Sequence, residues 1–252
     1  MKRAAFLLAA LILLAAGLYA CKPGGTAEPS EALSPGAASF EETGVEETSP
    51  EPEKEMKKIY KVIFIGNSYT YCNDLPSLFA AVCAERGISV QTELIAAGGY
   101  TLAHYVSESN EYGIKLREKL AQTAYDYAVI QEQSVRPAES PQTFYKSLGE
   151  LLELIRANGA APVLYETWGR AEGSETLTSR GWTHEIMQEK LYAAYKHAAE
   201  EYGTLLAPAG ERFHEAYTAG EPVFAEDGSH PSPLGSRIAA EAICEAIFGA
   251  GS

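Results

Sequence analysis

Short apolar runs alternate with amphipathic stretches along most of this chain, and this alternation restricts the fold more than any other sequence feature. Each run has the length of a strand and ends in glycine, polar or turn residues; the runs cover positions 60–65, 90–96, 127–130, 161–165 and 204–207. Apolar residues at helical spacing fill the intervals, at positions 74–86, 141–157, 184–202 and 232–248. The pattern predicts an α/β fold, a three-layer α/β/α sandwich with a central parallel sheet.

Two of these helices have recognisable starting residues. Asn73 or Asp74 is expected to cap the first one, because both side chains can accept a hydrogen bond from the first turn. Ser232 is expected to cap the last one, since Pro233 follows it and proline favours the first helical position.

A polar cluster follows each apolar run, directly or after a short helix. The clusters are Gly-Asn-Ser-Tyr-Thr at 66–70, Gly-Gly-Tyr-Thr at 98–101, Gln-Glu-Gln-Ser at 131–134, Glu-Thr-Trp at 166–168 and Asp-Gly-Ser-His-Pro at 227–231. Parallel sheets bind ligands at the carboxyl ends of their strands. We therefore expect the functional site where these clusters meet.

Ser68, His230 and Asp227 have the residue types of a nucleophile, a base and its carboxylate partner. A serine hydroxyl needs an adjacent base, and a carboxylate holds the histidine in the correct tautomer. The chain has only three aspartates and five histidines, so an Asp three positions before a His, just ahead of the last helix, is an informative pair. The sequence predicts Ser68, Asp227 and His230 as a catalytic triad.

Three clusters resemble the sequence blocks of the SGNH (GDSL-like) hydrolases. Gly66-Asn67-Ser68 resembles the first block, Gly99-Tyr100-Thr101 the second and Asp227-Gly228-Ser229-His230 the last, in the family's order across positions 59–248. The resemblance implies a flavodoxin-like fold and ester hydrolysis through an acyl-enzyme. It also implies an oxyanion hole that includes the N–H groups of Ser68 and Gly99.

Two departures from the family pattern affect the predicted site. Asn67 stands where the family usually has Asp, and positions 131–134 replace the usual Gly-x-Asn-Asp block. The oxyanion asparagine therefore maps onto Gln133, which has the same amide on a longer side chain. Gln131 is a competing donor, because it would share a face with Gln133 in an extended chain.

Candidate substrate contacts surround these residues. They are Asn67, Tyr69, Tyr100, Gln131, Glu166 and Trp168. The aromatic rings, together with Tyr71, would suit a sugar ring or an acyl chain, and Arg170 could join Glu166 in binding polar groups. We expect a small-molecule or glycan ester as substrate and no cofactor. No metal is expected, since His104, His184, His197 and His214 lack ligand spacing.

Other functions remain open at this point. A glycan-binding surface lipoprotein could keep this fold without turnover, and an acyltransferase could use the same triad with a sugar hydroxyl in place of water. An α/β-hydrolase is less compatible, because Thr70 occupies the position of the last glycine in Gly-x-Ser-x-Gly.

The N-terminal region predicts export and lipid anchoring. Lys2 and Arg3 precede an apolar run at 4–18, and Leu18-Tyr19-Ala20-Cys21 resembles a bacterial lipobox. We expect a signal peptide at 1–20 and a lipidated Cys21 on the extracytoplasmic side of a bacterial envelope; the alternative is an ordinary cleaved signal. Positions 21–58 should form a disordered acidic linker and 59–250 the hydrolase domain.

Charge and cysteine content add two constraints. The net charge of −14 argues against nucleic-acid binding, which needs clustered Lys and Arg. Cys72, Cys83 and Cys244 are an odd number besides Cys21, so at least one stays unpaired. Cys83 and Cys244 lie in apolar helical patterns and are expected to be small buried residues.

Overall fold

Five parallel strands form one sheet in residues 58–249, the part of the chain that the computed structural model describes. The strands are β1 (Ile59–Gly66), β2 (Ser89–Ala96), β3 (Tyr127–Ile130), β4 (Ala161–Tyr165) and β5 (Leu205–Ala207). Their spatial order is β2-β1-β3-β4-β5, and every neighbouring pair is parallel. The predicted α/β sandwich with its flavodoxin-like strand order is confirmed.

Helices cover both faces of this sheet. They are α1 (Ser68–Tyr71), α2 (Leu75–Glu85), α3 (Leu102–Val106), α4 (Glu111–Gln122), α5 (Arg136–Glu139), α6 (Pro141–Asn158), α7 (Glu175–Thr178), α8 (His184–Tyr202), α9 (Ala209–Thr218) and α10 (Pro233–Phe248). One face packs against α2, α9 and α10, and the opposite face packs against α3, α4, α6 and α8. Between successive strands, the helical segments return the chain to the start of the next parallel strand, while α9 and α10 follow β5.

Strand β1 shows why the apolar runs are continuous. Val62 and Phe64 point to the face covered by α2, α9 and α10, while Ile63 and Ile65 point to the other face. All four side chains are fully buried, because a strand in the middle of a parallel sheet has a core on each side.

The start of α2 differs from the sequence prediction. Asp74 precedes the helix, but its backbone is left-handed and its side chain caps nothing. The neighbouring Asn73 donates instead to the Pro231 carbonyl and the Ser236 hydroxyl, at 3.0 and 2.9 Å. The prediction for α10 is correct, since the Ser232 hydroxyl accepts from the Gly235 N–H and Pro233 is the first helical residue.

Two buried cysteines connect α2 with α10. The sulfur atoms of Cys83 and Cys244 lie 3.4 Å apart as thiols, and both side chains are inaccessible to solvent. Their predicted burial in apolar helix faces is therefore observed. The same two helices are joined on the surface by the salt bridges Arg86–Glu245 and Arg237–Glu85.

Several sequence predictions lie outside the described residues. These are the signal peptide, the lipidated Cys21 and nearly all of the linker, which fall within positions 1–57. Within residues 58–249, no helix combines the length and hydropathy needed to span a bilayer.

Candidate active site

The predicted functional residues meet at the carboxyl edge of the sheet, where the strand order reverses. Strand β1 is followed along the chain by β2, which lies on one side of it in the sheet, and then by β3, which lies on its other side. The loops leaving β1 and β3 therefore diverge and open a crevice, the usual ligand position in such sheets. A pocket of about 250 Å³ lies at this place.

The pocket contains most of the predicted site and three further residues. Asn67, Ser68, Tyr69, Gly99, Gln133 and His230 line it, as the sequence predicts. Ser134, Arg170 and Ser229 complete the lining. The two serines were missed as site residues, although both lie within the polar clusters that follow the strands.

Ser68, His230 and Asp227 form a continuous row of hydrogen bonds. The Ser68 hydroxyl lies 2.8 Å from His230 Nε2, and His230 Nδ1 lies 2.5 Å from Asp227 Oδ2. A carboxylate only accepts hydrogen bonds, so Nδ1 is the protonated nitrogen and Nε2 is free to accept the serine proton. This arrangement is the one that activates a serine nucleophile.

The loop that carries Asp227 and His230 is held locally. Asp227 Oδ1 accepts the backbone N–H groups of Ser229 and His230, both at 2.9 Å, so the carboxylate is oriented by its own loop. Partial burial works against ionisation, but these N–H groups and the imidazole outweigh it and lower the pKa of Asp227. Ionised Asp227 can therefore stabilise a positive charge on the neighbouring imidazole.

Asn67 positions Ser68 through two hydrogen bonds of its side chain. It caps the short helix α1, because its Oδ1 accepts the Tyr69 N–H at 3.1 Å. Its Nδ2 donates to the Tyr100 carbonyl at 3.0 Å. The side chain therefore ties the loop after β1 to the loop after β2 and sets the place of Ser68.

Three groups are placed to donate to an oxyanion in the pocket. Ser68 is the first residue of α1, so its N–H has no acceptor within the helix. Gly99 has a φ of 72°, which glycine adopts without strain, and its N–H bonds to nothing in residues 58–249. The Gln133 Oε1 accepts from the N–H groups of Val135 and Arg136, which leaves the Nε2 group as a donor.

Gln131 is not a substrate contact, which corrects the sequence prediction. It is 1% exposed and does not line the pocket. Its Oε1 accepts from the Asn67 N–H and the Thr70 hydroxyl at 2.9 and 2.8 Å, while Nε2 donates to the Glu132 carbonyl. Both ends of the amide are therefore used to hold the nucleophile loop against the end of β3.

Glu166 and Trp168 are also buried away from the pocket. The Trp168 ring is stacked between Tyr69 and Phe213, at centroid distances of 4.7 and 4.2 Å. Glu166 accepts from Gln188 at 3.0 Å, and burial together with Glu211 holds its pKa well above the usual range. Their prediction as substrate contacts is wrong, because both side chains turn into the core.

The remaining predicted aromatic residues do not form an exposed platform. Tyr69 lines the pocket but is 2% exposed, and its hydroxyl bonds to the Ser229 hydroxyl at 2.9 Å. Tyr100 is half-buried beside the pocket and stacks on His104 at 4.3 Å. A sugar-binding face made of Tyr69, Tyr100 and Trp168 is therefore absent from the described residues.

Glu132 joins the two loops that carry Gly99 and Gln133. Its Oε1 accepts the N–H groups of Leu102, at the start of α3, and of Gln133, at 3.2 and 2.6 Å. Burial raises the pKa of Glu132 to about 7, although these two N–H groups favour the charged form. Glu132 thus holds the loops that carry two of the three candidate oxyanion donors at a fixed spacing.

We expect Glu132 to make the stability of the protein depend on pH. The unfolded chain titrates this carboxyl near 4.5 and the folded chain near 7, so the folded state binds more protons between these values. The contribution of this carboxyl to the free energy of unfolding is highest below pH 4.5 and falls as the pH rises through 7. The total loss from this carboxyl is about 3 kcal/mol. Urea denaturation should show this loss in the wild type between pH 5 and pH 8. The Glu132→Gln variant keeps Oε1 but cannot titrate, so an equal loss in both proteins would contradict the prediction.

Comparison with known proteins places this geometry in a family. No family model and no curated protein matches the sequence, whereas several solved structures match. A protein from Slackia heliotrinireducens, assigned as an SGNH hydrolase, has 33% sequence identity and a TM-score of 0.67; the match covers 75% of this chain and 100% of that protein.

Two more distant structures share the fold. A DUF4886 family protein from Bacteroides uniformis has 21% identity and a TM-score of 0.66, over 77% of this chain and 84% of that protein. An acetylxylan esterase from Geobacillus stearothermophilus, solved as a catalytic mutant, has 18% identity and a TM-score of 0.55, over 77% and 97% of the two chains. On the strength of the Slackia protein, which is matched over its whole length, this chain belongs to the SGNH hydrolases.

Proposed function

We propose that this protein is a serine esterase that hydrolyses carboxylic esters through an acyl-enzyme at Ser68. The observation that carries the proposal is the row of hydrogen bonds from Asp227 through His230 to the Ser68 hydroxyl, which opens on a pocket. Such a row supplies a nucleophile, a base and an oriented carboxylate together.

The reaction uses each group in turn. The Ser68 Oγ attacks the ester carbonyl carbon while His230 Nε2 accepts the hydroxyl proton. The N–H groups of Ser68 and Gly99 and the Nε2 of Gln133 stabilise the negative oxygen that forms. The bond to the alcohol then breaks, and His230 returns the proton to the departing oxygen. A water molecule repeats the sequence on the acyl-Ser68 ester and releases the carboxylic acid.

The size of the pocket favours small esters. Its volume of about 250 Å³ lies below the range of about 300–1,000 Å³ that is usual for small-molecule sites. None of the residues that line the pocket has an aliphatic side chain, so a long alkyl chain would find no aliphatic partner there. We therefore propose short acyl groups, such as acetyl, as the part transferred to Ser68.

A panel of esters tests this function. The purified protein is offered aryl acetate, butyrate and decanoate, together with acetylated sugars, and acid release is followed by titration. We expect turnover of the acetate and butyrate esters and little turnover of the decanoate. Absence of turnover on every ester would reject the proposal and favour the glycan-binding alternative.

We propose separately that the protein is exported and anchored to a membrane by lipid on Cys21. The support is the sequence Leu18-Tyr19-Ala20-Cys21 behind a basic and apolar leader. We expect mass spectrometry of the mature protein to find residue 21 at the N-terminus with lipid attached. The Cys21→Ser variant should lose membrane association or keep its leader. An unmodified N-terminus at another residue would contradict the anchor without affecting the esterase proposal.

A further inference from the structure

Arg170 is the one permanently charged side chain that lines the pocket in the described residues. The other lining residues carry no fixed charge, and the nearest carboxylate named in the catalytic row, Asp227, lies behind His230 and does not line the pocket. The whole chain carries a net charge of −14, so a pocket whose fixed charge is positive stands out against an acidic molecule. This sign of charge attracts an anionic group toward Ser68.

The guanidinium of Arg170 is held without a carboxylate partner. One terminal nitrogen donates to the Ser229 hydroxyl and the other to the Ser134 hydroxyl at 2.9 Å. Its carbon lies 5.9 Å from the centre of the Tyr69 ring. The arginine–carboxylate salt bridges of residues 58–249 involve other arginines, namely Arg86, Arg180, Arg212 and Arg237. Two neutral hydroxyls therefore orient the cation and leave its charge uncompensated.

The backbone around Arg170 is fixed from two sides. The His184 Nδ1 lies 2.9 Å from the Arg170 carbonyl, and the preceding Gly169 N–H donates to the Gln188 Oε1, also at 2.9 Å. The following Ala171 N–H donates to the Gly228 carbonyl at 2.8 Å, within the loop that carries Asp227 and His230. The arginine is thus attached both to α8 and to the catalytic loop, which sets its position relative to His230.

We propose that Arg170 selects esters that carry a carboxylate close to the bond that is cleaved. The inference rests on the proposed esterase function and names the substrate class of the same site. A guanidinium can donate two parallel hydrogen bonds to a carboxylate, and each terminal nitrogen of Arg170 keeps one N–H without a protein acceptor, while its Nε–H is buried. The Ser134 and Ser229 hydroxyls hold the guanidinium fork, the two terminal nitrogens of Arg170, in one orientation. The arginine side chain therefore loses little conformational entropy when a substrate carboxylate binds.

Matched pairs of esters test the charge preference. Monomethyl succinate and methyl succinamate differ only in a carboxylate or an amide on the acyl side. Acetoxyacetate and acetoxyacetamide differ in the same way on the alcohol side. We expect the wild-type protein to favour the carboxylate by about tenfold to hundredfold in kcat/KM in at least one pair. The pair that shows the preference identifies the side of the ester that faces Arg170.

Variants assign the preference to the arginine. We expect Arg170→Gln to bring the ratio of kcat/KM within a pair to about one, whatever happens to the absolute rates. Arg170→Lys should retain part of the ratio, because it keeps the charge but not the fork. Arg212→Gln removes a cation that is paired with Glu245 outside the pocket and should leave the ratio as in the wild type. Melting temperatures of all three variants show whether they are folded.

Two results would overturn the inference while leaving the esterase in place. They are hydrolysis of both members of each pair at similar rates, and a wild-type ratio that survives in Arg170→Gln. If the wild type hydrolyses no ester at all, the proposed function fails instead. Calorimetric binding of monomethyl succinate and methyl succinamate then decides the role of Arg170, and equal affinities would reject it.

Discussion

Replacing Ser68 by alanine should lower kcat for short-chain esters by at least about a thousandfold and leave the fold intact. The hydroxyl is the atom that would bond to the acyl group, and no other hydroxyl is hydrogen-bonded to His230 in the described residues. The Ser68 hydroxyl makes no other hydrogen bond in these residues, so its removal leaves no group in the core without a hydrogen-bond partner. Hydrolysis rates at saturating ester, together with melting temperatures, give both quantities.

A labelling experiment complements the rate measurement. An organophosphorus probe that reacts with activated serines should modify the wild-type protein at Ser68, as found by peptide mass spectrometry, and should not modify Ser68→Ala. Ser179→Ala is a suitable control, because Ser179 is exposed at the end of α7 and lies outside the pocket. Retention of most activity in Ser68→Ala, or labelling at another serine, would show that the triad is misassigned.

Removing the amide donor of Gln133 should lower kcat by about 10²–10³ with a small change in KM. Gln133→Glu is the sharper variant, because a carboxylate can still accept from the N–H groups of Val135 and Arg136 but has no N–H to donate. Gln133→Ala should show the loss caused by the missing donor alone, and Gln133→Glu should lose at least as much turnover, because its carboxylate also repels the oxyanion. The alanine variant should also lose the interaction that caps α5, at a cost of about 1 kcal/mol in the free energy of unfolding.

Gln131 offers a matched control with the opposite expectation. Its amide holds the Asn67 N–H and the Thr70 hydroxyl inside the protein, so Gln131→Ala leaves two buried donors without an acceptor. We expect a loss of about 1–3 kcal/mol in stability for each buried group that is left unsatisfied. If Gln133 variants lose stability while Gln131→Ala loses only turnover, the two roles must be exchanged.

The strands could be predicted from the sequence because burial on both faces leaves a continuous apolar run, as in the four buried residues at 62–65. Helix α4 was not predicted, since Gly113 and Leu116 are its buried residues and the rest of its surface is half-buried or exposed. It begins instead at a local cap, where the Asn110 side chain accepts the Tyr112 N–H. Such a helix has too narrow an apolar stripe to be recognised by periodicity.

The predicted site shows the same division between local and distant determinants. Asp227 and His230 are three positions apart in one loop, so their pairing is visible in the sequence. Trp168 follows β4 at the correct edge of the sheet, but its ring packs on Phe213, a residue of α9 that lies far along the chain. No local pattern reports a contact of that kind.

The two glutamines illustrate the limit of reasoning from strand periodicity. Their assignment to one face assumed that the chain continues straight beyond Ile130. Strand β3 ends there, and Gln133 already accepts hydrogen bonds from the turn that starts α5. Gln131 is still in the sheet ladder, where its N–H donates to the Ile65 carbonyl at 2.9 Å, so the two side chains have different surroundings.

The pairing of α2 with α10 has a consequence for the biosynthesis of this chain. Ser68 and His230 are 162 positions apart, and Asn73, Cys83 and Arg86 near the nucleophile all contact residues at or beyond Pro231. During synthesis Ser68 leaves the ribosome early and His230 leaves it near the end. In a nascent or truncated chain without His230, Ser68 therefore has the reactivity of an ordinary serine. In the proposed mechanism hydrolysis requires His230, which lies just ahead of α10, so turnover would serve as an assay for folding of this end of the chain.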